Sequence, residues 1–389
     1  MQNFVWETPA RVHFGKGVIE ELPEEVARFG RRVLLAYGGG SIKRIGLYDK
    51  IRELLKDCEI VELTGIEPNP RVESAREGAK LCREHDVDVI VSVGGGSVLD
   101  CSKLVAAAAK YDGDAWDLVE KNELAGECLP IIAVMTLAAT GSELDAGAVI
   151  SNLGKKRKLP FMHGPTFPKA AFLDPTYTFT VPAWHTACGA SDILSHVMEQ
   201  YFVLDANPIA DGFCETMMRV VVEETPVALA EPDNYDARAA LMWASSWGCN
   251  GLLSLGNGPS AWACHAIEHE ISAYYDVTHG AGLAVVTPRW LRRSMTAETA
   301  PRIAHFGARV FDLAPTGDVM EDAERAVRAL EAFYAKIGMP ADMEALGVPD
   351  TENVDAMAEG AFTAFPLHLA MKPLEREDVK AILLDAFRK

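Results

Sequence analysis

The sequence predicts an α/β domain with a mainly parallel, Rossmann-like sheet over residues 1–180, followed by an all-helical domain over 181–389. Three observations carry this expectation. Short apolar runs rich in β-branched residues alternate with helical stretches through the first half, a pattern of parallel strands with helices on both faces. Two of those runs end in glycine clusters, and open α/β sheets bind ligands at the carboxyl ends of their strands. Beyond "DPTYTFTVP" at 174–182, strand-like runs become rare and helical spacing takes over.

The first clear strand is "RVLLAY" at 32–37, and it runs into "GGGSIKR". No carboxylate sits among Gly38, Gly39 and Gly40 to bond a ribose 2′-hydroxyl, whereas Ser41, Lys43 and Arg44 offer donors and positive charge that suit a 2′-phosphate. The same charges could equally be solvated. "EIVELT" at 59–64 and "DVIVSV" at 88–93 follow as strands, with a helical stretch at 71–85 between them.

"SVGGGSVLDCSK" at 92–103 leaves the second of these and opens a helix over 97–110. Gly94, Gly95 and Gly96 let backbone approach a ligand, and the first helical N–H groups favour an anion at Ser97. By mechanism this is a pyrophosphate cradle, although it is neither GxGxxG nor a P-loop. A tight strand-to-helix turn is the bland alternative. "PIIAVM" at 130–135 is the next strand, and "TLAATGSE" at 136–143 sets the hydroxyls of Thr136, Thr140 and Ser142 at the same sheet edge. "KAAFLD" at 169–174 completes the strands.

Helical spacing then covers 187–203, 207–229, 235–253, 259–274, 280–297 and 301–313. Within the first of these, "SDILSHVMEQY" puts Asp192 and His196 four apart, on one face of a helix whose other residues are largely apolar. "WACHAIEHEISAYYDVTHG" at 262–280 adds His265, His269 and His279. Chance alone yields about a quarter of one such i,i+4 histidine pair in a chain of this kind, so the weight rests on the whole constellation. A carboxylate oxygen with imidazole nitrogens suits a divalent first-row ion, which would also stabilise the Asp192 charge away from water. Spacing does not choose between His265 and His269 as ligand. The remaining histidines, His13, His85, His163, His185, His305 and His368, read as ordinary hydrogen-bonding residues. A zincin is set aside because Ala273 stands where HExxH needs its second histidine, and no GxSxG elbow occurs around 141–145. A metal in the helical domain, opposite a dinucleotide at the sheet edge, points to metal-assisted hydride transfer.

Composition narrows the partners. With 49% hydrophobic and 24% charged residues the chain is an ordinary globular protein. A net charge of −19 argues against nucleic acid or an anionic membrane surface. The opening residues lack a signal-peptide core, and "IIAVMTLAA" at 131–139 is far too short to span a bilayer, so a cytoplasmic location is expected. The eight cysteines have no metal-ribbon spacing and read as reduced.

Taken together, "FGKG" (14–17), "YGGGSIK" (37–43), "GIEPNP" (65–70), "GGGSVLD" (94–100), "ATGSE" (139–143), "DILSHVMEQY" and the "HAIEH…HG" spacing resemble the iron-dependent (group III) alcohol dehydrogenases. The likeness is to the butanol-dehydrogenase-like, NADPH-using aldehyde reductases, and it covers essentially the whole chain. It implies a dehydroquinate-synthase-like architecture, with Asp192, His196, His265 and His279 as metal ligands and His269 as a nonligand imidazole near the reacting carbon and nicotinamide. It also implies that Gly94, Gly95, Gly96 and Ser97 hold the pyrophosphate, that Asp100, Thr136, Thr140 and Ser142 lie along the cofactor, and that Lys158 reaches its ribose. Gly39 matches the position where NAD-preferring relatives carry an aspartate, in line with NADP(H). Ala139 replaces a glycine common in relatives, but the aldehyde-reductase branch shares it. Four protein ligands favour Fe²⁺, with Zn²⁺ able to replace it. A homodimer is expected by the same resemblance, with "NFVWETPARVHF" as an edge strand pair.

The expected substrates are short-to-medium aliphatic aldehydes and their alcohols, for which Trp262 and "TFTVP" offer apolar surface. Two other classes are weighed. A dehydroquinate-synthase-like lyase using NAD and a metal needs a basic cluster for its substrate, which 192–280 does not display. A non-catalytic metal-binding protein would leave NADPH untouched in the presence of butyraldehyde.

Overall fold

A computed structural model describes residues 1–388. They form two compact units: one comprises 7–181 together with 232–246, the other 1–6, 182–231 and the chain from 247 onward. A single boundary near 180 is the expectation from sequence; in these units 1–6 and 232–246 group across that position.

The first unit is built on a six-stranded parallel sheet. Its strands are β1 (Arg11–Phe14), β2 (Arg32–Tyr37), β3 (Glu59–Leu63), β4 (Val89–Gly94), β5 (Ile131–Met135) and β8 (Ala170–Leu173), in spatial order β1-β8-β5-β4-β2-β3. Strands buried on both faces need apolar side chains at every position, which is why these runs are nearly continuous. Leu34, Ala36, Ile90, Ile131, Ala133, Met135, Ala171 and Leu173 point into one core, shared with the helices Val72–Glu84 and Gly96–Ala108. Val33, Leu35, Val89, Val91, Val93, Ile132, Val134, Ala170 and Phe172 point into the other, shared with the helices Leu22–Ala27 and Leu47–Leu54.

The strand order fixes where a ligand can enter. From β2 the chain passes to β3 on one side and then returns to β4 on the other. The carboxyl ends of β2 and β4 are therefore a topological switch point, and Gly38–Gly40 and Gly94–Gly96 leave the sheet there.

β1 falls at the end of the segment expected as an edge strand. β1 carries Arg11 and His13 and adds to the sheet edge, Arg11 opposite Ala170. The expected subunit-pairing strand at the N-terminus therefore has its last four residues already paired within the chain, and residues 1–10 form no strand. An antiparallel ribbon, β6 (Gly147–Asn152) with β7 (Arg157–Met162), is unexpected from the sequence, where it is masked by a cluster of basic residues and by Pro160.

The helix Tyr235–Gly248 explains why 232–246 joins the sheet unit. Ser245 Oγ accepts a 3.0 Å hydrogen bond from the Ala139 backbone, and the Ser246 hydroxyl donates to Glu143 at 2.5 Å. The helix thus satisfies polar groups of the loop after β5.

In the second unit the helix Ala183–Tyr201 is buried at every position from Thr186 to Tyr201. Such a helix is surrounded rather than amphipathic. The helices Ala263–Tyr275 and His279–Ser294 pack against it, the first buried throughout 263–273. No helix among the described residues is long and apolar enough to cross a membrane.

Candidate metal centre and dinucleotide cradle

The three buried helices of the second unit converge on one carboxylate oxygen. Asp192 Oδ1 lies 3.4 Å from His196 Nε2, 3.5 Å from His279 Nε2 and 3.7 Å from His265 Nε2. Donor atoms of Asp192, His265 and His279 all fall within 4.8 Å of one another, and His196 joins this trio through Asp192. Neither Asp192 Oδ1 nor His265 Nε2 has a hydrogen-bond partner although both are buried. Ligand atoms bonded at about 2.1 Å to a tetrahedral ion stand roughly 3.4 Å apart, so the spacing fits a divalent cation.

The electrostatics agree with that chemistry. Burial alone would raise the Asp192 carboxyl, yet the imidazoles of His196, His279 and His265 hold it well below the usual carboxylate range. Burial pushes the His196 imidazole down to about 4, against the pull of Asp192. Burial would lower His265 too, but Glu199 and Asp192 keep it up at about 9. Opposed shifts inside one cluster arise because each charge is set by its neighbours rather than by water.

His265, which spacing could not distinguish from His269, is the one that meets the Asp192 oxygen. His269 lies one turn farther along, its ring 5.6 Å from that of His279 and edge-on to Phe365. Glu268, His269 and His279 also bring donor atoms within 4.8 Å, but Glu268 is already engaged by the Ser272 hydroxyl and by His279 Nδ1. That second group therefore forms the outer layer of the first.

Two acids went unnoticed in the sequence. Glu199 Oε1 takes the Nδ1 side of His265 and the Ser195 hydroxyl at 3.0 Å, while its Oε2 accepts from the Cys264 backbone at 2.7 Å. Glu268 does the same for His279 Nδ1. The available signal was spacing: Glu199 is two helical turns from Asp192, and Glu268 is one turn from His265. Glycines let these elements close up. A β-carbon at Gly280 would collide with the Cys188 carbonyl, and one at Gly282 would come within 2.8 Å of Glu268 Cγ.

In the first unit, the glycines after β4 are partly demanded by packing. A β-carbon at Gly94 would collide with Val98, and one at Gly96 with Thr140, while Gly95 has contact at 3.4 Å. The helix Gly96–Ala108 starts there, with Ser97 in its first turn. After β2, Gly40 has φ +93°, a left-handed backbone that favours glycine, and Gly38 is tight against Ile66. Gly39 is different: nothing in the chain lies within 4 Å of a β-carbon built on it, and its backbone is not left-handed. Its missing side chain leaves open space beside the turn. Ser41 begins the short helix Ser41–Arg44, and the Lys43 ammonium sits over the rings of Tyr37 and Tyr48 at 5.0 and 4.7 Å.

The remaining residues expected along the cofactor divide. Thr136 is half-buried and its N–H donates to Gly94, joining the two turns; Thr140 Oγ1 accepts from Ser142 N–H at 3.2 Å. Lys158 is buried on β7, opposite Ser151. Asp100 and Ser142 bind each other, the hydroxyl donating at 2.7 Å, and Asp100 Oδ2 accepts from Val149 N–H at 2.9 Å. Lys103, one turn after Asp100, completes the network and was also missed. Its fully buried ammonium meets the Ser142 carbonyl and hydroxyl, Asp145 and the Gly147 carbonyl at 2.6–2.8 Å. Burial pushes the Asp100 carboxyl up to about 6, with Lys103 opposing. Asp100 and Ser142, expected along the cofactor, are thus also tied to each other and to β6.

Comparison with known proteins covers both units. Residues 9–175 match the family "Iron-containing alcohol dehydrogenase", and 186–387 match "Fe-containing alcohol dehydrogenase family, C-terminal". The chain is 42% identical to NADH-dependent butanol dehydrogenase A of Clostridium acetobutylicum, covering 100% of both proteins. It is 38% identical to the NADPH-dependent aldehyde reductase YqhD of Escherichia coli over 92% of each. Its fold is similar to that of the crystal structure of NADH-dependent butanol dehydrogenase A from Thermotoga maritima, with a TM-score of 0.95 and 36% identity over 100% of this chain and 99% of the other.

Proposed function

Because the chain belongs to the iron-containing alcohol dehydrogenase family, we propose that it transfers a hydride between NADP(H) and a primary alcohol/aldehyde pair, acting on short-to-medium aliphatic aldehydes. The observation that carries this reading is the single Asp192 oxygen facing three imidazole nitrogens at 3.4–3.7 Å. Asp192, His196, His265 and His279 would hold the ion, Fe²⁺ with Zn²⁺ as a competent replacement. When bound, the ion supplies Lewis-acid polarisation of a carbonyl or alcohol oxygen, and the nicotinamide supplies or takes the hydride.

The chain's own residues do the rest. Asp192 contributes charge that the surrounding imidazoles stabilise, and the buried helices keep water from the ligand atoms. His269, buried beside this cluster, relays a proton at a ring nitrogen. Gly94–Gly96 and Ser97 take the pyrophosphate at a helix N-terminus, while Thr136 and Thr140 line the cofactor and Lys158 reaches its ribose. Lys103, Asp100 and Ser142 hold the neighbouring loop in register.

NADP(H) is supported by the open space at Gly39 and by Ser41, Lys43 and Arg44 beside it. The second reading, NAD(H), is favoured by the names of relatives such as the Clostridium acetobutylicum enzyme. A cytoplasmic homodimer is proposed on family resemblance alone. The deciding experiment follows NADPH and NADH absorbance with butyraldehyde, with and without a chelator. Aldehyde-dependent, chelator-sensitive oxidation is expected, faster with NADPH. Absence of turnover with either cofactor would count against the whole proposal.

A further inference from the structure

We infer that Glu199 and Glu268 are positioning residues of the metal centre: each accepts the Nδ1 proton of one imidazole, His265 and His279 respectively, and thereby turns that ring's Nε2 towards Asp192. The inference rests on the metal reading above and deepens it.

An ionised carboxylate can only accept, so the ring nitrogen facing it carries a proton and the other nitrogen is the one left to offer its lone pair to an ion. The two Nε2 atoms so assigned are those found 3.7 and 3.5 Å from Asp192 Oδ1. Both acids are hidden, with side-chain exposure of 1% for Glu199 and 0% for Glu268. Carboxylates so far from water are costly unless their oxygens are held.

Each acid is itself held. Glu199 Oε2 accepts from the N–H groups of Cys264 and His265 at 2.7 and 3.4 Å, the first turn of the helix Ala263–Tyr275. Trp262, at the cap position of that helix, supplies no side-chain cap. Glu199 fills that role from another helix and orients a ligand in the same stroke, at the positive end of the dipole. Glu268 is fixed by the Ser272 hydroxyl and by the notch at Gly282.

His196 has no such support. Its buried Nδ1 has no hydrogen-bond partner, and its ring is kept in place by stacking on His265 at 4.7 Å and by the edge of Trp262 at 6.0 Å. Two imidazoles are therefore aimed by carboxylates and the third by packing. Partners of this kind fix ring orientation and raise ligand basicity.

The test uses the full chain, stripped of metal, with Co²⁺ as the probe. Affinity is read by competition with a chromogenic chelator, and ligand geometry by the visible spectrum of bound Co²⁺. Wild-type protein is expected to bind one Co²⁺; failure to do so sinks the metal reading and this inference with it. Given wild-type binding, Glu268→Gln, whose amide oxygen still accepts, is expected to weaken Co²⁺ about 10-fold, and Glu268→Ala closer to 100-fold, with a shifted spectrum. Glu199→Gln is expected to behave like Glu268→Gln. A Glu268→Ala or Glu268→Leu protein, neither of which can accept the Nδ1 proton, with wild-type affinity and spectrum overturns the inference while leaving the metal reading intact; the leucine keeps most of the side-chain volume where the alanine variant does not fold.

Discussion

The carbonyl oxygen of Cys188 lies so close to Gly280 that no β-carbon fits between them. This contact sets the approach of the helix His279–Ser294 to the helix Ala183–Tyr201, and so the distance between His279 and Asp192. Gly280→Ala is expected to force the helices apart, costing about 1–3 kcal/mol as overpacking does. Chemical denaturation measures the loss, and metal content of the purified variant should fall with it.

Lys103 is buried among Asp145, Ser142 and Gly147. Lys103→Met removes the charge and leaves Asp145 without its partner, an uncompensated group that burial already pushes towards the neutral form. Breaking a buried pair from one side costs about 3–5 kcal/mol. Unfolding curves should register that loss, and the Michaelis constant for the nicotinamide cofactor should rise as the loop after β5 loosens.

Gly39 offers a cleaner probe of cofactor choice, because the fold makes no demand on it. Gly39→Asp places a carboxylate beside the turn after β2. NADPH use should fall about tenfold or more in kcat/KM, a change of roughly 1.4 kcal/mol, with NADH use maintained. Thermal stability should stay unchanged. An unaltered ratio of the two efficiencies would remove the argument for a 2′-phosphate at this turn.

His269→Ala separates proton relay from metal retention. General acid–base groups contribute about 10²–10⁴-fold, so turnover should drop by that order while bound metal stays at the wild-type level. Unchanged turnover with an unchanged pH profile would exclude the relay.

One contribution to acid sensitivity lies at the start of β2. The Arg32 guanidinium and the backbone N–H groups of Arg31 and Arg32 hold the Asp88 carboxyl down at about 2. Its folded-state value lies below the unfolded one, so its stabilisation is complete above the ordinary carboxylate range and is lost as pH falls from there through about 2. The pair is largely solvated, so screening leaves only a small deficit when it is broken. Asp88→Asn should show that deficit at neutral pH, with the difference from wild type vanishing in strong acid.

Local sequence determined the parallel strands, the glycine turns and the Asp192/His196 pair. Parallel strands buried on both faces need unbroken apolar runs, and a helix brings residues four apart onto one side. The ribbon β6–β7 escaped because strands rich in charge and interrupted by proline carry little of that signal. Helical spacing left open which imidazole meets Asp192, and the tertiary structure brings His265 to it. His265 and His269 share one helix face, so the choice depends on how that helix is seated, and no local pattern records this. The same holds for Glu199, Glu268 and Lys103. A charged residue on a helix reads as solvated until packing removes the water, and only then do its hydrogen bonds show what it holds in place.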